Sequence, residues 1–303
     1  MITRDPTAFL EFARRCDTGF GQATARAAFL VSPEGFARAE QSAVDNRYMA
    51  DATRFDPERA LSQHRQLQRS LSAELPVFCF PGDADTPDAV FPNNIFATVP
   101  GRLIIGRMRH PVRQREAGRS DIRGFFSGLL GYTELDLSQQ PHVCELTGAM
   151  VIDRARGLGF CGLSERCDPT GAALMHDAFG LRATLMFDLA PGEYHTNVVL
   201  AVLSGRAALI APQGFAQAAA AEAIARLYGA GAVVLQAAEH EGFVANAIAV
   251  SPGSVWMSAR AESVLSVPSR QALSSAGFEV LSVALDAIET GGGSLRCCVA
   301  EVF

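Results

Sequence analysis

Short apolar runs arrive in pairs, and this pairing restricts the possible folds more than any other feature of the chain. Residues 149–152 with 158–163, 198–202 with 207–210, and 247–250 with 255–257 are strand-length runs. The first two pairs are separated by turns of charged or glycine residues, Asp153-Arg154-Ala155-Arg156-Gly157 and Ser204-Gly205-Arg206. Single runs at 28–31, 77–80, 103–105, 233–235 and 280–283 complete the predicted strands. Residues 57–75, 119–130, 170–179, 215–228 and 268–276 carry apolar side chains at three-to-four spacing and predict helices, several closed by Gly or Pro. Three hairpins, each with a helix to follow, imply an α/β fold with an internal repeat, not a doubly wound sheet. No G-x-G-x-x-G follows a strand and no G-x-x-x-x-G-K-[ST] occurs, so no nucleotide phosphate loop is expected.

With 303 residues, 49% of them hydrophobic, the chain can bury a sizeable core, and no shift of composition marks a second domain. Net charge is −6, and all 26 basic residues are arginine. Seven arginines fall between Arg102 and Arg123, but the acidic balance and the scarcity of aromatics among them argue against nucleic acid as a partner. Seven cysteines, two of them adjacent at Cys297 and Cys298, form no disulfide framework and point to a reducing cytoplasm. The N-terminus lacks the apolar core of a signal peptide, and the alanine-rich stretch 216–238 is interrupted by Glu222 and Arg226, so neither secretion nor a membrane span is expected. Cys161 and Cys167 have no histidine pair to complete a zinc set, and no metal is expected.

Four segments could carry chemistry. Cys297 follows Gly291-Gly292-Gly293, where the backbone is free to approach a ligand, at the start of an apolar run. It reads either as a nucleophile or as a buried thiol on a terminal strand. His195 stands at the mouth of the run beginning at Val198, placed to exchange a proton or to serve as a hydrogen-bonded structural residue. Glu145 precedes a strand in the same way. Asp88-Ala89-Val90-Phe91-Pro92-Asn93-Asn94 offers polar side chains in what reads as a loop, and equally as ordinary turn chemistry.

Taken together, the chain resembles the guanidino-group-modifying superfamily, the penteins. The resemblance runs from about Ala28 to Phe303 over six ordered landmarks: Gln41 to Asn46, Thr86 to Asn94, Glu145 to Gly148, Gly162 to Arg166, Tyr194 to Val198 and Gly291 to Cys297. It implies a five-bladed α/β propeller built from ββαβ-like repeats, with residues 27–303 as a single catalytic domain and residues 1–26 as an N-terminal extension. It further implies that Cys297 is the nucleophile, His195 the general acid/base and Glu145 the carboxylate that binds a substrate N–H and biases the imidazole. Cys298 takes a position that relatives fill with a hydrophobic residue. Arg113 and Arg166 match positions expected to grip an α-carboxylate, a task suited to a forked guanidinium. Asp88, Asn93, Asn94 and Asn197 complete the implied substrate site. No cofactor is implied, and the expected partner is a small amino acid, bound by a monomer or a homo-oligomer.

One departure from the family pattern bears on the substrate. Relatives acting on a cationic guanidinium usually present carboxylates at the positions of Asn94 and Asn197, and some also at that of Asn93. A buried carboxylate facing a neutral group is an uncompensated charge, whereas an amide offers a neutral ureido group both a donor and an acceptor. The resemblance is therefore strongest to the citrulline-utilisation hydrolases, which share Phe-Pro-Asn-Asn, Tyr-His-Thr-Asn and Gly-Gly-Gly-Ser-x-Arg-Cys. Citrulline would be split to ornithine, CO2 and ammonia through an S-carbamoyl cysteine. Arginine deiminase, arginine dihydrolase or dimethylarginine hydrolase activity is the alternative, and a non-catalytic amino-acid-binding protein is the reading from a different class.

Overall fold

The computed structural model describes residues 1–49 and 55–303. Among them the strands form five small sheets, four of them built on one plan. An antiparallel partner lies on one side of a central strand and a parallel partner on the other. Phe96–Val99, Arg102–Ile105 and Thr133–Asp136 form one such set, and Met150–Asp153, Leu158–Leu163 and Ala183–Asp188 another. Leu200–Leu203, Ala207–Ile210 and Ala232–Val234 form a third. In the fourth the chain's two ends meet, with Ala27–Val31 pairing antiparallel to Ala300–Val302 and parallel to Val77–Phe80. Each parallel partner is reached through an intervening helical segment, as parallel pairing requires a crossover.

The fifth sheet departs from the expectation. Residues 247–250 are not a strand: only Ile248 bridges Trp256, by two backbone hydrogen bonds of 3.0 and 2.8 Å. The apolar run 247–250 fills core space without building a ladder, and Ser254–Ser258 pairs along its length only with Glu279–Val283. Residues 149 and 198–199 likewise precede their strands, which begin at Met150 and Leu200. The predicted helix 119–130 divides into an α-turn, Ser120–Gly124, and a wider π-turn, Phe125–Leu129. The helix predicted over 57–75 ends at Leu71, and that predicted over 215–228 begins at Ala218.

Local chemistry accounts for the longer helices. Asp56 caps Pro57–Leu71 by accepting from the Arg59 N–H, and Ala60, His64, Leu67 and Leu71 are buried at helical spacing. Asp168 caps Pro169–Phe179 in the same manner, and Gly180 closes it at a φ of 63°.

Residues 1–13 join the same core. Ile2 and Thr3 pair with Thr184 and Leu185, and on the helix Pro6–Ala13 the ring of Phe9 meets that of Phe160 edge-on at 5.6 Å between centroids. No helix among the described residues is long and apolar enough to cross a membrane.

Candidate active site

A single local device recurs at the entry to the antiparallel strands. A one-turn helix immediately precedes four of them: Pro92–Asn94 before Phe96–Val99, Leu146–Ala149 before Met150–Asp153, Thr196–Val198 before Leu200–Leu203, and Leu295–Cys298 before Ala300–Val302. These turns carry or adjoin Asn93 and Asn94, Glu145, His195 and Asn197, and Cys297. Cys297 thus sits in a helical turn and not at the start of a strand, and Asn93 and Asn94 lie in a 3-10 turn and not in an open loop. Hydrogen bonds tie neighbouring turns together. Thr147 Oγ1 donates to the Asn93 carbonyl at 3.0 Å, and Thr196 Oγ1 donates to the Ala149 carbonyl.

Asp88, Asn94, Arg113, Arg166, His195 and Cys297 line one cavity. Glu145 lies behind it, fully buried. Asn93 is not among the lining residues, and Asn197 lines a different cavity while its Oδ1 lies 3.7 Å from the Cys297 sulfur. The sequence elements thus converge, although Asp88 and Cys297 are more than two hundred residues apart.

Glu145 accepts three hydrogen bonds, from His195 Nε2 at 2.8 Å, the Arg109 backbone N–H at 2.9 Å and Arg166 Nη1 at 3.3 Å. Burial alone would raise its pKa, but Arg166, His195 and Arg113 hold the carboxyl well below the usual range, so it is ionised. An ionised carboxylate only accepts, so Nε2 of His195 carries a proton in this pair. Burial lowers the His195 pKa, against the opposing pull of Glu145. The resting imidazole is then neutral, with its Nδ1 lone pair lacking a protein partner. Gly148 makes room for this ring: a Cβ there would stand 2.8 Å from His195 Cε1 and 2.5 Å from Asn94 Oδ1.

Cys297 is buried, and burial pushes its thiol pKa up. Asn246 Nδ2 donates to its sulfur at 3.3 Å, and the thiol lies 3.7 Å from Asn197 Oδ1. The preceding glycines are required sterically as well as conformationally. Gly292 has a φ of 79°, and a Cβ on it would fall 2.3 Å from Asn46 Nδ2.

The two predicted carboxylate-gripping arginines are already heavily engaged by the protein. Arg166 gives Nε and Nη2 to Asp45 and Nη1 to Glu145. Arg113 forms a buried fork with Glu116 at 2.7 and 2.9 Å, and its Nη2 also donates to the Phe91 carbonyl at 3.0 Å. Among the described residues its Nη1 donates no hydrogen bond. Asp88 is buried beside it, accepting from Ser42 at 2.6 Å, and burial raises its pKa despite the nearby Arg113. Sequence reading singled out neither Asn246 nor Glu116, and Asp45 only as part of the landmark Gln41 to Asn46, with no role. The one available signal for Asn246 was a lone polar side chain inside the apolar run Phe243-Val244-Ala245-Asn246-Ala247-Ile248.

Six buried polar atoms around this site have no partner among the described residues: Asp88 Oδ1, both side-chain polar atoms of Asn93, Asn94 Oδ1, His195 Nδ1 and Asn197 Nδ2. Leaving such atoms unpaired costs about 1–3 kcal/mol each. Their concentration here marks a site built for a polar ligand.

Known proteins resemble the chain in sequence and in fold. The chain is 29% identical over 217 residues to the N(G),N(G)-dimethylarginine dimethylaminohydrolase of Mycobacterium tuberculosis, covering 71% of this chain and 66% of that protein. It is 26% identical over 251 residues to the uncharacterized protein YkgA of Bacillus subtilis, covering 80% of each. Its mixed α/β fold is shared with the N-terminal domain of ArgZ, a cyanobacterial arginine dihydrolase, with a TM-score of 0.79 at 21% identity over 91% of this chain and 97% of that one. A dimethylarginine dimethylaminohydrolase adduct with S-methyl-L-thiocitrulline superposes with a TM-score of 0.68 at 18% identity, over 92% and 100% of the two chains. The family model described as N,N dimethylarginine dimethylhydrolase, eukaryotic, matches residues 32–303. A match of that extent makes the chain a member of the N,N dimethylarginine dimethylhydrolase family.

Proposed function

We propose that the protein is a cysteine-dependent hydrolase that splits a C–N bond in the ureido or guanidino group of a free amino acid, with citrulline as its substrate. The observation that carries this reading is the convergence of Cys297, His195 and the unpartnered amide oxygen of Asn94 on one cavity. The arrangement of the five sheets as propeller blades around that cavity belongs to the same proposal. So does the division into an extension, residues 1–26, and a catalytic domain, residues 27–303.

In this mechanism neutral His195 takes the thiol proton of Cys297, and the ionised Glu145 stabilises the resulting imidazolium. The thiolate attacks the ureido carbon. The bond from that carbon to the δ-nitrogen breaks as the imidazolium protonates the nitrogen, releasing ornithine and leaving an S-carbamoyl enzyme. Water, giving a proton to His195, attacks this carbonyl and expels the sulfur. The carbamate so formed breaks down to CO2 and ammonia. Asn94 and Asn197 present amides to the neutral ureido group, and Arg113, through Nη1, is the arginine with capacity left for the α-carboxylate.

A second reading is favoured by Asp88, a buried carboxyl in the cavity with an unpartnered oxygen. Once ionised it would suit a cationic guanidinium, as in arginine or its methylated forms, which are the substrates named for the relatives. Amino-acid analysis of incubations with citrulline, arginine and dimethylarginine separates the two. Ornithine from citrulline is the expected result. Citrulline accumulating from arginine or dimethylarginine would replace it with the second reading.

A further inference from the structure

Of the five sheets, four receive a site residue from the turn that enters them, and the fifth does too. Its entering segment, residues 243–248, brings Asn246 against Cys297. Asn246 is fully buried and holds the cysteine at two points. Its Nδ2 donates to the sulfur at 3.3 Å, and its Oδ1 accepts from the Cys297 backbone N–H at 3.4 Å. The same Nδ2 donates to the Asn197 carbonyl at 2.9 Å and lies 3.4 Å from its Oδ1. The Asn246 carbonyl in turn accepts from the Arg296 N–H at 3.2 Å. One amide therefore joins the turn bearing the sulfur to the turn that follows His195.

We propose that Asn246 is a positioning residue of the reaction, fixing the Cys297 sulfur and locking it to the His195 turn. The inference rests on the assignment of Cys297 as nucleophile. A carboxamide suits this place because it supplies a donor to sulfur and an acceptor to the backbone from opposite ends of one planar group. A donor on sulfur favours the thiolate over the thiol, opposing the burial that disfavours it. It also fixes the direction from which sulfur approaches the reacting carbon, and a misplacement of about 1 Å costs about a hundredfold in rate. A residue that merely filled the core would do neither.

The test uses the full chain with Asn246→Asp, which keeps the shape but puts an acceptor where the donor stood, Asn246→Ala, which removes both contacts, and Asn246→Ser, which retains a hydroxyl donor. The rate of Cys297 alkylation by iodoacetamide is followed against pH by peptide mass spectrometry, without substrate. Alongside it, kcat and KM are measured on whichever of citrulline, arginine and dimethylarginine the wild type turns over. In the Asp and Ala variants the alkylation midpoint is expected to rise by about one pH unit or more. Their kcat should fall about a hundredfold with KM little changed, and Ser should recover part of both. Any variant that folds gives the reading. An unchanged alkylation midpoint in a folded Asp or Ala variant overturns the proposal, whatever happens to stability. Failure of the hydrolase reading looks different: the wild type turns over none of the three substrates while the alkylation shift persists.

Discussion

Glu145 shows how much one buried charge can determine. It is paired with Arg166 and His195, and its ionised state keeps Nε2 of the imidazole protonated and leaves Nδ1 free. Replacing it in Glu145→Gln removes the charge but retains the shape. Because Glu145 favours the protonated imidazole, its loss lets burial depress the His195 pKa further. The acid limb of kcat/KM, already placed below an ordinary histidine's pKa of about 6.5, should then move to still lower pH. The maximal rate should fall by about 10²–10⁴-fold, since the imidazolium formed in the first step loses its stabilising partner. A pH–rate profile checks both effects, and an acid limb unmoved in the variant would show that the carboxylate does not act through His195. The roles proposed for these residues were legible only partly in the sequence. No spacing rule links Glu145, His195 and Cys297, which lie 50 or more residues apart, so they emerged through family resemblance. The engagement of Arg113 and Arg166 by Glu116 and Asp45 was invisible, because a buried arginine and a ligand-binding arginine look alike until their partners are known.

Among the elements, legibility followed how continuous the apolar run was along the chain. Val77–Phe80, Leu158–Leu163 and Ala207–Ile210 were read to the residue because each is a continuous apolar run bounded by turn residues. Thr133–Asp136 was missed: Leu135 is its lone apolar residue, among Thr133, Glu134 and Asp136, so no apolar run announces it. The run 247–250 was misread for the opposite reason, being apolar for core packing without a partner along its length. The helix Pro57–Leu71 carries a further consequence of burial. His64 is 1% exposed, its Nε2 has no partner among the described residues, and burial takes its pKa down to about 4, with Glu34 pulling the other way. In the unfolded chain it titrates near 6.5, so between these values the unfolded state binds the proton and the folded state does not. Its contribution to stability is therefore full above about pH 6.5, declines as pH falls toward 4, and amounts to about 3 kcal/mol in all. Urea unfolding of wild type and His64→Leu at pH 7 and pH 4.5 should show the variant losing less stability over this interval, by most of that amount. Equal losses would mean that His64 is not held neutral.

For the whole molecule, the question is what the first residues contribute. The family model begins at residue 32, and the sequence pattern gave no reason to attach residues 1–26 to the core, since a single helix after a two-residue strand has too little periodicity to announce its partner. Packing supplies the reason. Ile2 and Thr3 extend the sheet of Ala183–Asp188 on its free edge, where an open ladder would otherwise present unpaired backbone groups. Phe9, 1% exposed, and Ala13, fully buried, lie in the core that also contains Phe160, Leu185 and Tyr228. None of these residues touches the cavity of Cys297, so their loss should act on stability and leave substrate affinity alone. Phe9→Ala should cost about 3–5 kcal/mol by opening a cavity against Phe160. Removing residues 1–13 should cost more, because it exposes both the sheet edge and the apolar face beneath the helix. Thermal unfolding and KM measured on the same preparations test this. The expected result for Phe9→Ala is a lowered unfolding temperature with KM unchanged, and for the truncation a larger drop, or dye-binding partly folded protein. A truncated enzyme with an unaltered unfolding temperature would instead show these residues to be an appendage on a core complete without them.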